Sequence, residues 1–360
     1  MKTVAHLVGS LDYGGIESQM EAIASCQGQG GYDHRFCALE GGGNAAKRIV
    51  EKGGQVDLLE CSAHIPSLAA ILALLAYLRR VRPQVLHCHG AEANFHGLIA
   101  GWIARIPVRI AEEVGIPSHS LAAKRVFGCL YRTAHKVVAV SDAVRLWLIE
   151  NKEASAKRTV TIHNPVLAIA PGPRAPDGEI LRVAFVGRLE PVKNLVSLIE
   201  AMSALSKKGL PVQLWVIGDG SDRERLENAA DTCGLRDKVK WWGFQDDPMA
   251  LVRQCTIFVQ PSLTEGFSLA LIEAMACEIP VIATCVGGAP DVIEEGRTGW
   301  LIDPTPGAIA AALSHAWEIG PTARAAIGQR AGAVPKRFAP EFYREKVESL
   351  YTAVSAAGGR

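Results

Sequence analysis

The sequence lacks a bias of charge: 38 Lys and Arg oppose 37 Asp and Glu, so no global field draws the chain to nucleic acid or to a polyanion. It lacks a CxxC pair, although it has nine cysteines. An odd number scattered through apolar segments such as Val85–Cys88 reads as buried thiols in a reducing compartment, not as a disulfide framework or a zinc site. No apolar run reaches the length of about 18 residues that a membrane span needs, and the longest candidate, Leu68–Leu78, stops at Arg79 and Arg80. The amino terminus carries one Lys and a strand-length apolar run, without a signal-type core or cleavage site. These absences predict a cytoplasmic protein, attached at most to the cytoplasmic face of the membrane. Repeats of about 20–50 residues and low-complexity tracts are absent too, as is a GxGxxG fingerprint after the first apolar run.

What is present is core-forming material. A length of 360 residues, 49 % of them hydrophobic, is enough for two domains with a core each. Short β-branched runs (KTVAHLVG, HRFCAL, QVDLL, PQVLHCH, PVRIAE, KVVAVS, TVTIHN) alternate with longer helical patterns, which is the signature of βαβ units and a parallel sheet. Pro and Gly crowd together in LAIAPGPRAPDG, residues 167–178, and a second alternating series follows: LRVAFVG, VQLWVIG, KVKWWG, TIFVQ and PVIAT. The prediction is an α/β protein of two doubly wound parallel-sheet domains, 1–170 and 171–360, with a C-terminal helix able to pack back on the first. Charge divides between them. Residues 1–170 hold 18 Lys and Arg against 14 Asp and Glu, and residues 171–360 hold 20 against 23. Ligands of such sheets bind outside the carboxyl ends of the strands, so two of these domains are expected to face each other across a cleft lined by strand-to-helix loops.

The motifs fall on those loops. Gly14 and Gly15 open a helix after the first strand, where glycine lets backbone N–H groups approach an anion, though a tight turn explains them equally well. Arg188 lies just beyond the first strand of the second series and Lys193 five residues on; two cations converging on a strand end suit a diphosphate. In TEGFSLALIEAMACEIPVIAT, Glu265 and Glu273 flank an apolar stretch. With 24 Glu in the chain, a pair eight apart arises about once or twice by chance from composition, so position must carry the argument. A helix entered at Glu265 to Ser268 would leave its first amides open to oxygen and put both carboxylates on one face, where they could accept from sugar and ribose hydroxyls. Other features read blandly: Asp246 and Asp247 as a turn before a helix, Ser141 and Asp142 as helix caps. The basic, aromatic stretch 121–136 reads as a solvated face, or else as a weak membrane-surface patch. A metal site from His87, Cys88, His89 and His96 is disfavoured because neighbours on a strand point to opposite faces.

Taken together, GGIE (14–17), VLHCHG (85–90), VVAVSDAV (137–144), VGRLEPVKN (186–194), VIGDGSDRERLE (216–227) and EGFSLALIEAMACEIPVIATCVGGAPDVIEEGRTGWLI (265–302) resemble the retaining GT-B glycosyltransferases of glycosyltransferase family four. The resemblance covers nearly the whole chain and includes that family's E-x7-E element. It implies two Rossmann-like domains and transfer of a sugar, a hexose or N-acetylhexosamine, from a nucleotide diphosphate sugar, expected to be UDP-linked. The acceptor would be a hydroxyl of a glycan or lipid-linked precursor in cell-surface polysaccharide or glycolipid synthesis. By the same resemblance Gly14 and Gly15 approach the donor phosphates, and Arg188 and Lys193 bind the diphosphate in place of a metal or other cofactor. Glu265 contacts the transferred sugar, Gly266 and the amides of Phe267, Ser268 and Leu269 hold sugar and phosphate, and Glu273 holds the ribose. One departure stands out: where the family often has His after the fifth strand, this chain has Glu113. Either Glu113 takes that role, or His89 or His119 does. An epimerase of the same architecture and a non-catalytic sugar-binding subunit are the competing readings.

Overall fold

The computed structural model describes all residues except Tyr13, Pro171, Pro176, Asp177, Gly359 and Arg360, so part of the 167–178 linker lies outside the described residues. Two compact units result. The first holds residues 1–167 together with 338–360, the second residues 168–337.

In the first unit a seven-stranded sheet runs β3-β2-β1-β4-β5-β6-β7, with β1 Lys2–Val8, β2 Tyr32–Ala38, β3 Gln55–Leu58, β4 Val85–His89, β5 Val108–Glu113, β6 Lys136–Ala139 and β7 Thr159–Thr161. Every pairing is parallel, and a parallel sheet is covered by helices on both faces. Its strands are therefore apolar on both sides, which is why β4 is buried along its whole length. One face carries Val4, Val8, Phe36 and Val85 against the first helix, Gly15–Ala24, and against Tyr343, Val347 and Tyr351 of the C-terminal helix Pro340–Gly358. That helix, placed with the second domain by chain order, thus belongs to the core of the first. The other face packs Leu7, Leu39, Leu86 and Cys88 against Leu74 and Leu78.

The second unit has a six-stranded sheet of order β10-β9-β8-β11-β12-β13: β8 Leu181–Val186, β9 Val212–Ile217, β10 Val239–Gly243, β11 Ile257–Gln260, β12 Val281–Thr284 and β13 Gly299–Ile302. It too is parallel throughout, around a core that includes Val183, Phe185, Leu198, Leu214, Ile257 and Ile282. In both sheets the order reverses beside the first strand of the unit, the arrangement of a doubly wound fold. Side-chain caps start several helices. Ser67, Ser120, Ser141, Asp247, Ser268 and Thr305 each accept from the amide three residues on, a contact typically worth about 1 kcal/mol. All nine cysteines are free thiols.

Candidate functional site

The loops at the carboxyl ends of β8, β9, β11 and β12 are laced together by backbone. The amide of Gly187 donates to Ile217 O (3.0 Å) and that of Leu263 to Val192 O (2.8 Å). Asn194, with φ 57°, turns its side chain to donate to Pro261 O (3.0 Å) and Pro304 O (3.2 Å). Two glycines make the approach feasible. At Gly218 (φ +134°) a Cβ would fall 2.0 Å from Gly187 O, and at Gly287 (φ +56°) it would fall 2.3 Å from Glu265 O.

This frame brings Lys193 and Glu265 together. One carboxylate oxygen of Glu265, Oε1, accepts from Lys193 Nζ (2.6 Å), Gln260 Nε2 (2.7 Å) and Ser262 Oγ (2.8 Å). No described residue donates to the other oxygen, Oε2, so a carboxylate locked in place by three donors keeps one acceptor for a ligand. Gln260 and Ser262 were not singled out from sequence; their signal was only their position at the end of an apolar strand. Arg188 is not part of this cluster. It is exposed and pairs with Glu190 at 3.0 Å.

Glu265 and Glu273 do not share a helical face as expected. The helix begins only at Leu269, capped by Ser268, whose Oγ accepts from Leu271 N. Gly266 is held in the preceding loop, where its carbonyl accepts from Gly288 N (2.9 Å). Glu265 is therefore a loop residue, while Glu273 lies half-buried in the second turn. No described residue donates to the Glu273 carboxyl, and burial pushes it up to about 7. Phe267, Ser268 and Leu269 form the helix entrance, where first-turn amides lack partners within the helix.

In the first unit the carboxyl ends of β1 and β4 border a cavity of about 550 Å3 lined by Ser10, Glu17, Glu40, His64, His89 and Glu92, among others. Gly14 and Gly15 stand at the start of the first helix, but its positive end already has an anion. Glu17 folds back so closely that a Cβ on Gly14 would lie 2.6 Å from its Oε2, and Ser10 Oγ reaches Glu17 Oε1 at 3.5 Å. A carboxylate in the first turn is what the helix dipole favours.

His89 touches this cavity, yet both its ring nitrogens face inward. Nε2 lies 3.0 Å from His6 Nδ1 and Nδ1 lies 3.2 Å from Glu112 Oε1, at ion-pair distance though poorly aligned for a hydrogen bond. His6 Nε2 continues to His34 Nδ1 (2.8 Å), and His34 Nε2 to Glu348 Oε1 (3.4 Å) on the C-terminal helix. His87 joins Tyr351 OH (2.7 Å) and lies 3.1 Å from Glu112. Gln19 and Tyr343 also donate to Glu112, at 2.6 and 3.2 Å. Ring nitrogens of His6, His87 and His89 come within 4.8 Å of one another. Cys88 and His96 lie elsewhere, Cys88 against Gly97 and His96 accepting from Ser67 N.

Glu112, His89, His6, His34 and Glu348 thus stand in one row. Burial lowers the pKa of His6 and of His34, which favours their neutral rings. For Glu112, burial acts against ionisation, but the contacts with His89 and His87 outweigh it and hold the carboxyl well below the usual range.

Glu113, the neighbour on the opposite face of β5, is buried. It accepts from Tyr131 OH and from Asn94 Nδ2 (3.0 Å). Burial nonetheless pushes its carboxyl up to about 7. His119 is paired with Glu153 at 2.9 Å, a hydrogen bond that raises its pKa, and stacks on Phe127.

Two family descriptions match the chain, "Glycosyl transferase 4-like domain" over residues 14–165 and "Glycosyl transferases group 1" over residues 173–332. The first match falls within the first unit and the second within the second unit, and the two parallel-sheet domains have the GT-B architecture. Among characterised relatives, the lipopolysaccharide 1,6-galactosyltransferase of Salmonella typhimurium is 31 % identical over 210 residues, 55 % of this chain and 56 % of the relative. The capsular polysaccharide biosynthesis glycosyltransferase CapM of Staphylococcus aureus is 25 % identical over 307 residues, 79 % and 80 % of the two chains. The chain spans about half the length of the first curated relatives it matches. A solved structure of Anabaena HepE in complex with UDP-glucose superimposes with a TM-score of 0.84 at 21 % identity, covering 98 % of this chain and all of the other.

Proposed function

We propose that the protein is a retaining glycosyltransferase that moves a hexose or N-acetylhexosamine from a UDP-sugar to an acceptor hydroxyl in cell-surface polysaccharide or glycolipid synthesis. The observation that carries this reading is the Glu265 carboxylate, fixed through Oε1 by Lys193, Gln260 and Ser262 with Oε2 left to accept. Relatives named for lipopolysaccharide and capsule synthesis support the pathway class, and HepE, solved with UDP-glucose, supports the donor class.

In this reading Glu265 Oε2 accepts from a hydroxyl of the transferred sugar and Glu273 from the ribose, whose hydroxyls supply the donors that its carboxyl lacks in the free protein. Lys193, with one N–H engaged by Glu265, turns its others to the diphosphate. Arg188, held by one surface ion pair, swings to the same group, and Gly266 with the amides of Phe267, Ser268 and Leu269 completes the cradle. Preorganised charge of this kind stabilises the leaving group where negative charge grows, which makes a metal unnecessary. Gly14 and Gly15 reach the phosphates only when the Glu17 carboxylate moves aside. Retention without a covalent intermediate needs leaving group and incoming hydroxyl on one face of the sugar, so the departing diphosphate itself takes the acceptor's proton. Glu113 positions the sugar; His89, whose Nε2 is taken up by His6 and whose Nδ1 faces the buried Glu112, presents no base to it. A lipid-linked acceptor and a place at the cytoplasmic face of the membrane belong to the same reading, and no helix of the described residues is long and apolar enough to cross a membrane.

The test is transfer from a panel of UDP-sugars, with the coupling constant of the product's anomeric proton read by NMR in the presence of EDTA. A product that keeps the donor's α configuration is expected. An inverted product, or activity that EDTA abolishes and Mg²⁺ restores, overturns the site as drawn.

A further inference from the structure

At the amino-terminal edge of β5 to β7, the end of the sheet that ligands of this fold do not use, lies a second cavity of about 590 Å3. Five cations line it: Arg109, Arg132, Lys136, Lys157 and Arg158. The side chains of Arg109, Lys136 and Arg158 donate to backbone carbonyls. Arg109 donates to Ile106 O (2.6 Å) and Thr133 O (3.0 Å), Lys136 to Lys157 O (2.8 Å), and Arg158 to Ala134 O (2.8 Å). The lining contains neither Asp nor Glu. His135, in the same wall, has its pKa lowered first by burial and then by the charges of Arg109 and Arg158.

Beside this cavity the helices Ala91–Ile103 and Leu121–Leu130 leave an open apolar groove of about 650 Å3, lined by Phe95, Leu98, Ile99, Val126 and Leu130. Trp102 lines both the groove and the cationic cavity and is 62 % exposed; Val126 is 45 % exposed. An indole at the seam between an apolar surface and a charged one is the placement that tryptophan takes at a membrane interface. A solvated basic face accounts for the cations alone, but not for an uncovered groove that shares a wall with them.

We propose that this joined face seats the first unit on an anionic phospholipid surface, with lipid phosphates at the cationic cavity and the groove, with Trp102, in the boundary between headgroups and acyl chains. It deepens the membrane-face part of the proposed function by naming the surface, the residues and the lipid charge, and it is independent of the transfer chemistry. Surface potential attracts each basic residue by about 1 kcal/mol, so each one removed should weaken binding roughly fivefold, and added salt should weaken it further.

The experiment is co-sedimentation of the full chain, without donor or acceptor, with phosphatidylcholine vesicles with and without phosphatidylglycerol. Binding is expected only to the anionic vesicles. Arg132→Glu combined with Lys157→Glu, both exposed positions, should lower it by more than an order of magnitude while thermal unfolding stays unchanged; reversing charge does more than removing it. Trp102→Phe should lose part of the fluorescence quenching that bromine-labelled acyl chains produce in the parent. Equal binding to both vesicle types, binding indifferent to the charge reversal, or capture by a soluble polyanion such as heparin without any vesicle association would overturn the proposal. Transfer to a soluble acceptor that survives the double substitution shows that the catalytic reading stands or falls separately.

Discussion

Glu113 and Glu273 share one elevated pKa, about 7, and one cause, burial, but different neighbours make them different predictions. Glu273 has no donor of its own, so a ribose hydroxyl is worth more to it than to a solvated carboxylate. Glu273→Ala should weaken UDP binding in calorimetry by about 1.5–3 kcal/mol, the range for a hydrogen bond to a charged group. Glu265→Ala should spare UDP and lower turnover, because its open oxygen faces the sugar. Equal losses of UDP affinity in the two variants would refute that division. Glu113 is held by Tyr131 and Asn94 and should leave UDP affinity unchanged, while Glu113→Gln lowers turnover. It also has a stability signature. Its folded pKa is raised from 4.5 to about 7, so the folded state holds a proton that the unfolded chain has lost. That contribution is complete below pH 4.5 and disappears as pH rises through 7. A shift of this size corresponds to about 3 kcal/mol, and Glu113→Gln should flatten the fall of unfolding free energy over that window. A parallel pH profile in the two proteins would remove the argument.

Among elements, the C-terminal helix is tied to the first sheet by polar contacts as well as by its apolar face. Glu348 Oε1 meets His34 at 3.4 Å while Oε2 accepts from Gly31 N at 3.0 Å. Glu348→Ala removes both acceptors and should destabilise the protein by about 1 kcal/mol for each hydrogen bond lost. Thermal unfolding checks it, and an unchanged melting temperature in the variant would show that these contacts contribute nothing to holding the helix. The sequence carried part of this element: His87 and His89, two apart on a strand, had to share a face. It did not carry their partners, because His6 and His34 arrive by strand register and Tyr351 from 264 positions away.

For the whole molecule, the second unit lies in sequence between residues 167 and 338, and the last segment completes the core of the first. Ending the chain at Arg337 removes Tyr343, Val347 and Tyr351 from that core. Burying side chains of this size contributes about 1.5–3 kcal/mol each, so the first unit should lose on the order of 5 kcal/mol or more. UDP should still raise the melting temperature of the second unit by mass action. A truncated chain whose first unit melts as before would show that the helix is dispensable.

By itself the sequence determined the doubly wound architecture, the loops that carry Arg188, Lys193 and Glu265, and the absence of a membrane-length apolar run. Those properties are local: alternation of strand and helix is written in consecutive residues, and the loop after a buried parallel strand is found by reading where the apolar run stops. Only the tertiary structure decided that Glu265 stands outside the helix of Glu273 and that three donors hold one of its oxygens. It also decided that Arg188 faces Glu190, that both nitrogens of His89 face inward, and that five cations meet an apolar groove at Trp102. Each of these depends on which segments the sheet register brings side by side, as with Lys193 and Glu265 across 72 residues, and no spacing along the chain encodes that distance.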